Sequence, residues 1–136
     1  MLIDNINQDS ESFKTYLSSY TGLIVACYCA EWCGTCKSYR ARFAELSIQF
    51  PQHLFVWIDI EDNPDLLDDI DVENFPTLLI QQVDAQTSIA HNHFFGTMIP
   101  HIGHLERLIL SVEEKIDQQR SSASVPGPGY LSDLIT

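Results

Sequence analysis

Basic residues are scarce in this chain. Lys and Arg number 7 against 19 Asp and Glu, a formal net charge of −12 over 136 residues. A nucleic-acid surface needs clustered positive charge, and so does adhesion to an anionic membrane, so neither partner is expected. Long apolar runs are missing as well. The longest, Leu23 to Ala30, has eight residues, where a spanning helix needs about 20. The N-terminus, Met1-Leu2-Ile3-Asp4-Asn5, carries acid where an export signal carries base. These absences lead us to expect a cytoplasmic protein. There is no internal repeat, and cysteine occurs nowhere outside residues 27–36. A disulfide framework would spread its cysteines to close long loops. Four in one short stretch point instead to redox or metal chemistry.

What is present suits one globular domain. The chain is 45% hydrophobic and 10% aromatic, enough for a sizeable core. Leu2 to Ile6 reads as a short edge strand. Asp9-Ser10 offers a helix cap before Phe13, Tyr16 and Leu17, and Thr21-Gly22 ends that helix. Leu23 to Cys29 is continuous, short and partly β-branched, as in a central strand buried on both faces. After Gly34, residues Tyr39, Phe43, Leu46 and Phe50 form one helical face that Pro51 closes. Leu54 to Ile60 is a second buried strand. Asn63-Pro64 opens a short helix with Leu66, Leu67 and Ile70. Thr77 to Val83 and Ile89 to Phe95 make two further strands, and Gly96 breaks the last. Leu105, Leu108, Ile109, Val112 and Ile116 mark a final amphipathic helix. The order predicts an α/β fold: a central mixed sheet of four to five strands with helices on both faces. Residues 1–119 form the domain. Residues 120–136, rich in Pro, Gly and Ser at their start, read as a flexible tail.

Cys33-Gly34-Thr35-Cys36 lies between a buried strand and a helix. Unpaired N–H groups at a helix start and the macrodipole stabilise a thiolate, the reactive form of cysteine. Cys33 is the exposed nucleophile on this reading. Cys36, one turn deeper, is the resolving thiol, and Lys37 adds positive charge. Four sulfurs at Cys27, Cys29, Cys33 and Cys36 also raise the question of zinc. A regular strand and a helix start do not readily converge four ligands tetrahedrally, so redox chemistry is favoured and no metal or organic cofactor is expected.

Ala30-Glu31-Trp32-Cys33-Gly34-Thr35-Cys36-Lys37 after an apolar strand, with Phe75-Pro76-Thr77-Leu78-Leu79 later in the chain, resembles the thioredoxin family. Asp59 to Pro64 and Gly96 fit the same pattern. The resemblance covers residues 2–119 and implies a thioredoxin-like fold. It also implies a protein-disulfide reductase that attacks through Cys33 and resolves through Cys36. Trp32, Gly34, Thr35, Phe75 and Pro76 would then border the substrate, with Pro76 in a cis bond facing the cysteines. Partners would be disulfide-containing proteins and a reductase or other dithiol donor. The alternative is a binding or chaperone-like module with the same fold and remnant redox activity.

Three departures from that family stand out. Many members have proline where Thr35 stands. The residues between the cysteines tune the couple, for which about 30 mV equals about 1.4 kcal/mol, and we expect a less reducing protein. A buried Asp and its Lys partner, usual in the family, are replaced by Cys27 and Trp57, and a buried thiol is a poor base. Cys27 and Cys29 read first as small core residues; the sharper reading is a third redox thiol, with a Cys27–Cys36 crosslink as its sign. Finally, the hairpin between Thr77 and Phe95 carries His91-Asn92-His93, with His101 and His104 beyond. Each pair suits a metal geometrically, but solvated polar positions are favoured because nothing completes a ligand set. The acids between Asp59 and Glu73 read as a solvated face opposite in charge to Lys37, Arg40 and Arg42.

Overall fold

A computed structural model describes residues 2–3, 11, 15–17, 19–30, 34–61, 75–84, 86–87, 89–118 and 124–129. Its elements are β1 (Leu2–Ile3), β2 (Gly22–Cys29), α1 (Gly34–Gln49), β3 (Leu54–Asp59), β4 (Thr77–Asp84), β5 (Ile89–Thr97) and α2 (Ile102–Asp117). The strands form one sheet in the order β1-β3-β2-β4-β5. β1 and β2 run parallel to β3, while β2–β4 and β4–β5 are antiparallel. The sheet is therefore mixed, with β2 central. The apolar run of β2 is explained by this position, since seven of its eight residues are buried.

Alternation along the strands sorts side chains onto two faces. Leu23, Val25, Cys27, Cys29, Phe55, Trp57, Leu78 and Ile80 face α1 and α2, which contribute Cys36, Tyr39, Phe43, Leu46, Leu105, Ile109 and Val112 to the same core. The helical spacing of those residues is what commits both helices to this face. Ile24, Ala26, Tyr28, Leu54, Val56, Ile58, Leu79 and Val83 form the opposite core, which Leu17 joins. Residues 15–17 are helical, in line with the expected N-terminal helix. The expected helix after Asn63-Pro64, and most of the acidic stretch, lie outside the described residues. Gly22 begins β2 at φ 151°, and an added Cβ would sit 2.8 Å from the Tyr20 hydroxyl. That hydroxyl donates to the Leu23 carbonyl at 2.7 Å, so the corner favours glycine.

One expectation needs correction. Gly96 does not break β5: it pairs with Leu78, and the strand continues to Thr97. A small residue at an edge is tolerated because pairing is carried by the backbone. The described part of the tail, residues 124–129, lies against β5. The Val125 N–H donates to the Asn92 carbonyl at 2.9 Å, and the Asn92 N–H donates to Ser124 Oγ at 2.9 Å. The segment thus covers part of the outer edge of β5, where unpaired backbone groups would otherwise face solvent. Gln81 Nε2 donates to Asn92 Oδ1 and to the Gly129 carbonyl, each at 2.9 Å. Asn92 Nδ2 donates to the Pro128 carbonyl at 2.9 Å. At Gly127, a Cβ would stand 3.0 Å from that of Phe95, so the close approach depends on glycine.

This network predicts an effect far from the cysteines. Asn92→Ala removes the acceptor of Gln81 and the donor to Pro128, both buried. Loss of such a bond with a partner left unsatisfied costs about 1–3 kcal/mol. Urea unfolding should show that loss, and limited proteolysis should release the tail earlier than in the parent chain. A loss below about 0.5 kcal/mol, within the range of neutral surface changes, with unchanged cleavage would mean the tail contributes nothing.

Candidate active site

The C-terminal end of β2 and the first turn of α1 build the site. Cys29 is the last residue of β2, and its inward side is set by the alternation that also turns Cys27 inward. Cys36 is the third residue of α1, on the helix stripe shared with Tyr39 and Phe43. The two elements therefore aim Cys29 and Cys36 at each other. Their sulfurs are joined in a disulfide, with Cα atoms 6.0 Å apart, inside the range such a bond requires. Cys27 lies behind them, its sulfur 3.9 Å from that of Cys29. Cys27, Cys29 and Cys36 are 0%, 1% and 2% exposed, so all three are closed to bulk reagents.

The expected site residues divide as follows. Cys36 is buried, as the resolving role requires. Gly34 and Thr35 are exposed at the start of α1. The Phe75–Pro76 peptide bond is cis, as the resemblance implied. Phe75 packs against the core that holds the cysteines, and Pro76 is buried. Trp32 and Cys33 lie outside the described residues. Cys29 corrects the first reading of it as core filling: it is buried as core, but it is bonded. It also replaces Cys27 as the partner imagined for Cys36. The reason is position along the strand. Cys27 is two residues, roughly 6.6 Å, further from the helix start. Strand parity put both sulfurs on the correct side; only the distance to α1 chose between them.

Electrostatically the cluster is apolar. Burial pushes the Cys27 thiol well above its usual range, so it holds its proton and cannot serve as a base. Cys27 is in register with Trp57 on β3, whose ring carries the Arg40 guanidinium 5.5 Å from its centroid. The Tyr39 hydroxyl is also pushed up, by burial first and by the neighbouring Cys27 second. It has no hydrogen-bond partner among the described residues. A hydroxyl donor thus lies unsatisfied beside the sulfur cluster.

The histidines on β5 stand apart from this site. His91 and His93 have ring centroids 4.6 Å apart, and His93 Nε2 lies 2.8 Å from Gln82 Oε1. Among the described residues no group of three metal-ligating side chains occurs. His93 is the extra residue where the β4–β5 register shifts, since Ile80 pairs with Phe94 and Gln81 with Asn92. Burial, then His91, then Lys115, push its pKa from 6.5 down to about 4. The folded state therefore refuses a proton that the unfolded chain accepts. This contribution to stability is present above pH 6.5 and is lost as pH falls from 6.5 through about 4. The melting temperature should drop across that window, and drop less in His93→Gln. Parallel curves for both proteins would remove His93 from the account.

The family model described as Thioredoxin matches residues 4–94. Thioredoxin C-3 of Corynebacterium nephridii is 32% identical over 78 residues, covering 57% of this chain and 54% of that protein. The chain spans about half the length of the curated relatives it matches first. Among solved structures, thioredoxin from Trypanosoma brucei brucei superposes with a TM-score of 0.60 at 24% identity, over 84% of this chain and 92% of that one. A chain in the complex of ferredoxin:thioredoxin reductase with thioredoxin f2 superposes with a TM-score of 0.63 at 19% identity, over 82% and 94%. Both likenesses are of fold.

Proposed function

The chain belongs to the thioredoxin family, whose members are protein-disulfide oxidoreductases, and on that premise we propose that it reduces protein disulfides through Cys33 and Cys36. The observation that carries this reading is Cys36, buried in the first turn of α1 three residues after Cys33 in the sequence, where a resolving thiol belongs. Cys33, as thiolate, attacks one sulfur of a substrate disulfide and forms a mixed disulfide. Cys36 then attacks the Cys33 sulfur, reduced substrate leaves, and a Cys33–Cys36 disulfide remains. Thiol–disulfide exchange of this kind needs no organic cofactor.

Trp32, Gly34, Thr35, Phe75 and Pro76 border the substrate on this proposal. Electrons return from a reductase or another dithiol carrier; a fold relative occurs in complex with a reductase, which supports that class of partner. We further propose a cytoplasmic location. No helix among the described residues is long and apolar enough to cross a membrane.

The test is reduction of insulin disulfides by dithiothreitol with and without the protein, alongside redox titration of the cysteine pair. Catalysed precipitation of insulin with a potential near roughly −270 mV marks a reductase, and a clearly higher potential marks an oxidant or isomerase. One observation favours a second reading, a binding module with remnant redox activity: Cys36 is held by Cys29 rather than free to resolve. Absent catalysis with an alkylatable Cys33 would select it.

A further inference from the structure

Three cysteines that the reductase cycle does not need to keep apart lie in one buried cluster. Cys29 and Cys36 are bonded, and Cys27 is 3.9 Å from Cys29. The cycle proposed above uses Cys36 with Cys33 and leaves Cys29 idle. Yet Cys36 can hold only one partner at a time: the reductase reading gives it Cys33, and the fold gives it Cys29. Cys33 precedes α1 in the chain, while Cys29 faces Cys36 from the end of β2.

We propose that Cys29 is a third exchanging thiol, which takes the disulfide over from Cys33 and stores it in the core as Cys29–Cys36. The proposal rests on the reductase reading, which supplies the first disulfide. The step is an internal exchange. The Cys29 sulfur attacks the Cys36 sulfur of a Cys33–Cys36 disulfide. The Cys29–Cys36 bond forms, the Cys33–Cys36 bond breaks, and Cys33 leaves as a thiolate. The proton given up by Cys29 is balanced by the one Cys33 takes up when it is protonated. No electrons leave the protein, and no outside oxidant is needed beyond the substrate disulfide already consumed.

Burial decides what the step achieves. Cys29 and Cys36 are almost wholly enclosed, and exchange rates depend on access to the sulfur attacked. An external dithiol therefore reaches Cys29–Cys36 slowly, whereas the reductase reading requires it to reach Cys33–Cys36. The Cys27 thiol, a weak donor, and the Tyr39 hydroxyl, which has no partner among the described residues, lie where charge on sulfur would need donors during exchange. The stored form leaves Cys33 reduced but without its resolving partner. It can attack a further substrate disulfide and then stays attached. The oxidised protein so becomes a trap for disulfide-bearing proteins, whereas the reduced protein turns over.

Two measurements on the full chain test this. In the first, Cys33→Ser is unfolded, reduced and refolded through an oxidised/reduced dithiothreitol series, so that every thiol is reachable while the chain folds. The product is alkylated without reduction and mapped by mass spectrometry. We expect the alkylatable thiols to fall from three to one, with Cys29 joined to Cys36. Cys27→Ala should keep the same crosslink, which guards against a folding failure in any single variant. Three free thiols at every poise would overturn the proposal. In the second, reduced wild-type protein is mixed with excess insulin, acid-quenched at intervals and mapped. Cys33–Cys36 should appear first and then give way to Cys29–Cys36, with Cys33 either alkylatable or joined to an insulin chain. Persistence of Cys33–Cys36 beside normal insulin reduction would sink the transfer and leave the reductase reading intact. A Cys29–Cys36 crosslink without any insulin reduction would sink the reductase reading, and the transfer step with it.

Discussion

Cys33→Ser is expected to bring insulin reduction down to the rate of dithiothreitol alone, while Cys36→Ser stops after a single attack. The two losses differ because the two sulfurs act at different stages. α1 begins at Gly34, so the positive end of the helix dipole and its unpaired N–H groups lie at this stretch of chain. A thiolate is favoured there, and without Cys33 the three remaining cysteines are all buried. In Cys36→Ser the first attack proceeds, but a hydroxyl at neutral pH does not displace sulfur. The mixed disulfide between Cys33 and substrate then accumulates. Non-reducing gels should show a band of protein plus insulin chain in Cys36→Ser and none in Cys33→Ser. Normal turnover in Cys36→Ser would take the resolving role away from Cys36.

Phe43→Ala is expected to lower the unfolding free energy by about 3–5 kcal/mol. Phe43 is 1% exposed at the centre of α1. Its ring lies 5.2 Å from that of Phe55, 5.7 Å from Trp57 and 6.5 Å from Tyr39, measured between centroids. Truncation therefore leaves a cavity bounded by rigid rings that cannot collapse into it. The loss also loosens the face that holds Cys36 against β2. Ile48, on the same helix but 79% exposed, supplies the control: Ile48→Ala should stay within about 0.5 kcal/mol. Urea titration of both variants separates the cases. A loss below about 1 kcal/mol for Phe43→Ala would mean that α1 is not seated on the sheet through this ring.

Much of the fold is legible before any coordinates. β2 is recognisable because a central strand must be apolar on both sides. α1 and α2 are recognisable because their buried residues recur at the helical period. The ends of α1 follow from Gly34 and from Phe50-Pro51. Gly96 misled because a glycine reads as a breaker while an edge strand tolerates it. The tail hides its contact with β5 for a related reason. Its composition has no periodic apolar face, so nothing local reveals that Asn92 and Gln81 offer amide donors to its carbonyls.

The amino-acid sequence by itself determined the family, the α/β alternation and the Cys-x-x-Cys between strand and helix. All three rest on near-neighbour spacing, where chain geometry converts position directly into direction. It also placed Cys27 and Cys29 on one side of β2, since strand parity is local. Which of them meets Cys36 was decided only by tertiary structure. That choice depends on how far α1 sits from the end of β2, and the distance comes from packing Tyr39, Phe43 and Leu46 against Phe55 and Trp57. The docking of residues 124–129 on β5 was decided in the same way, by two polar side chains that the sheet register brings opposite each other. Local spacing carries no information on either pairing, because both join segments that meet only once the core has closed.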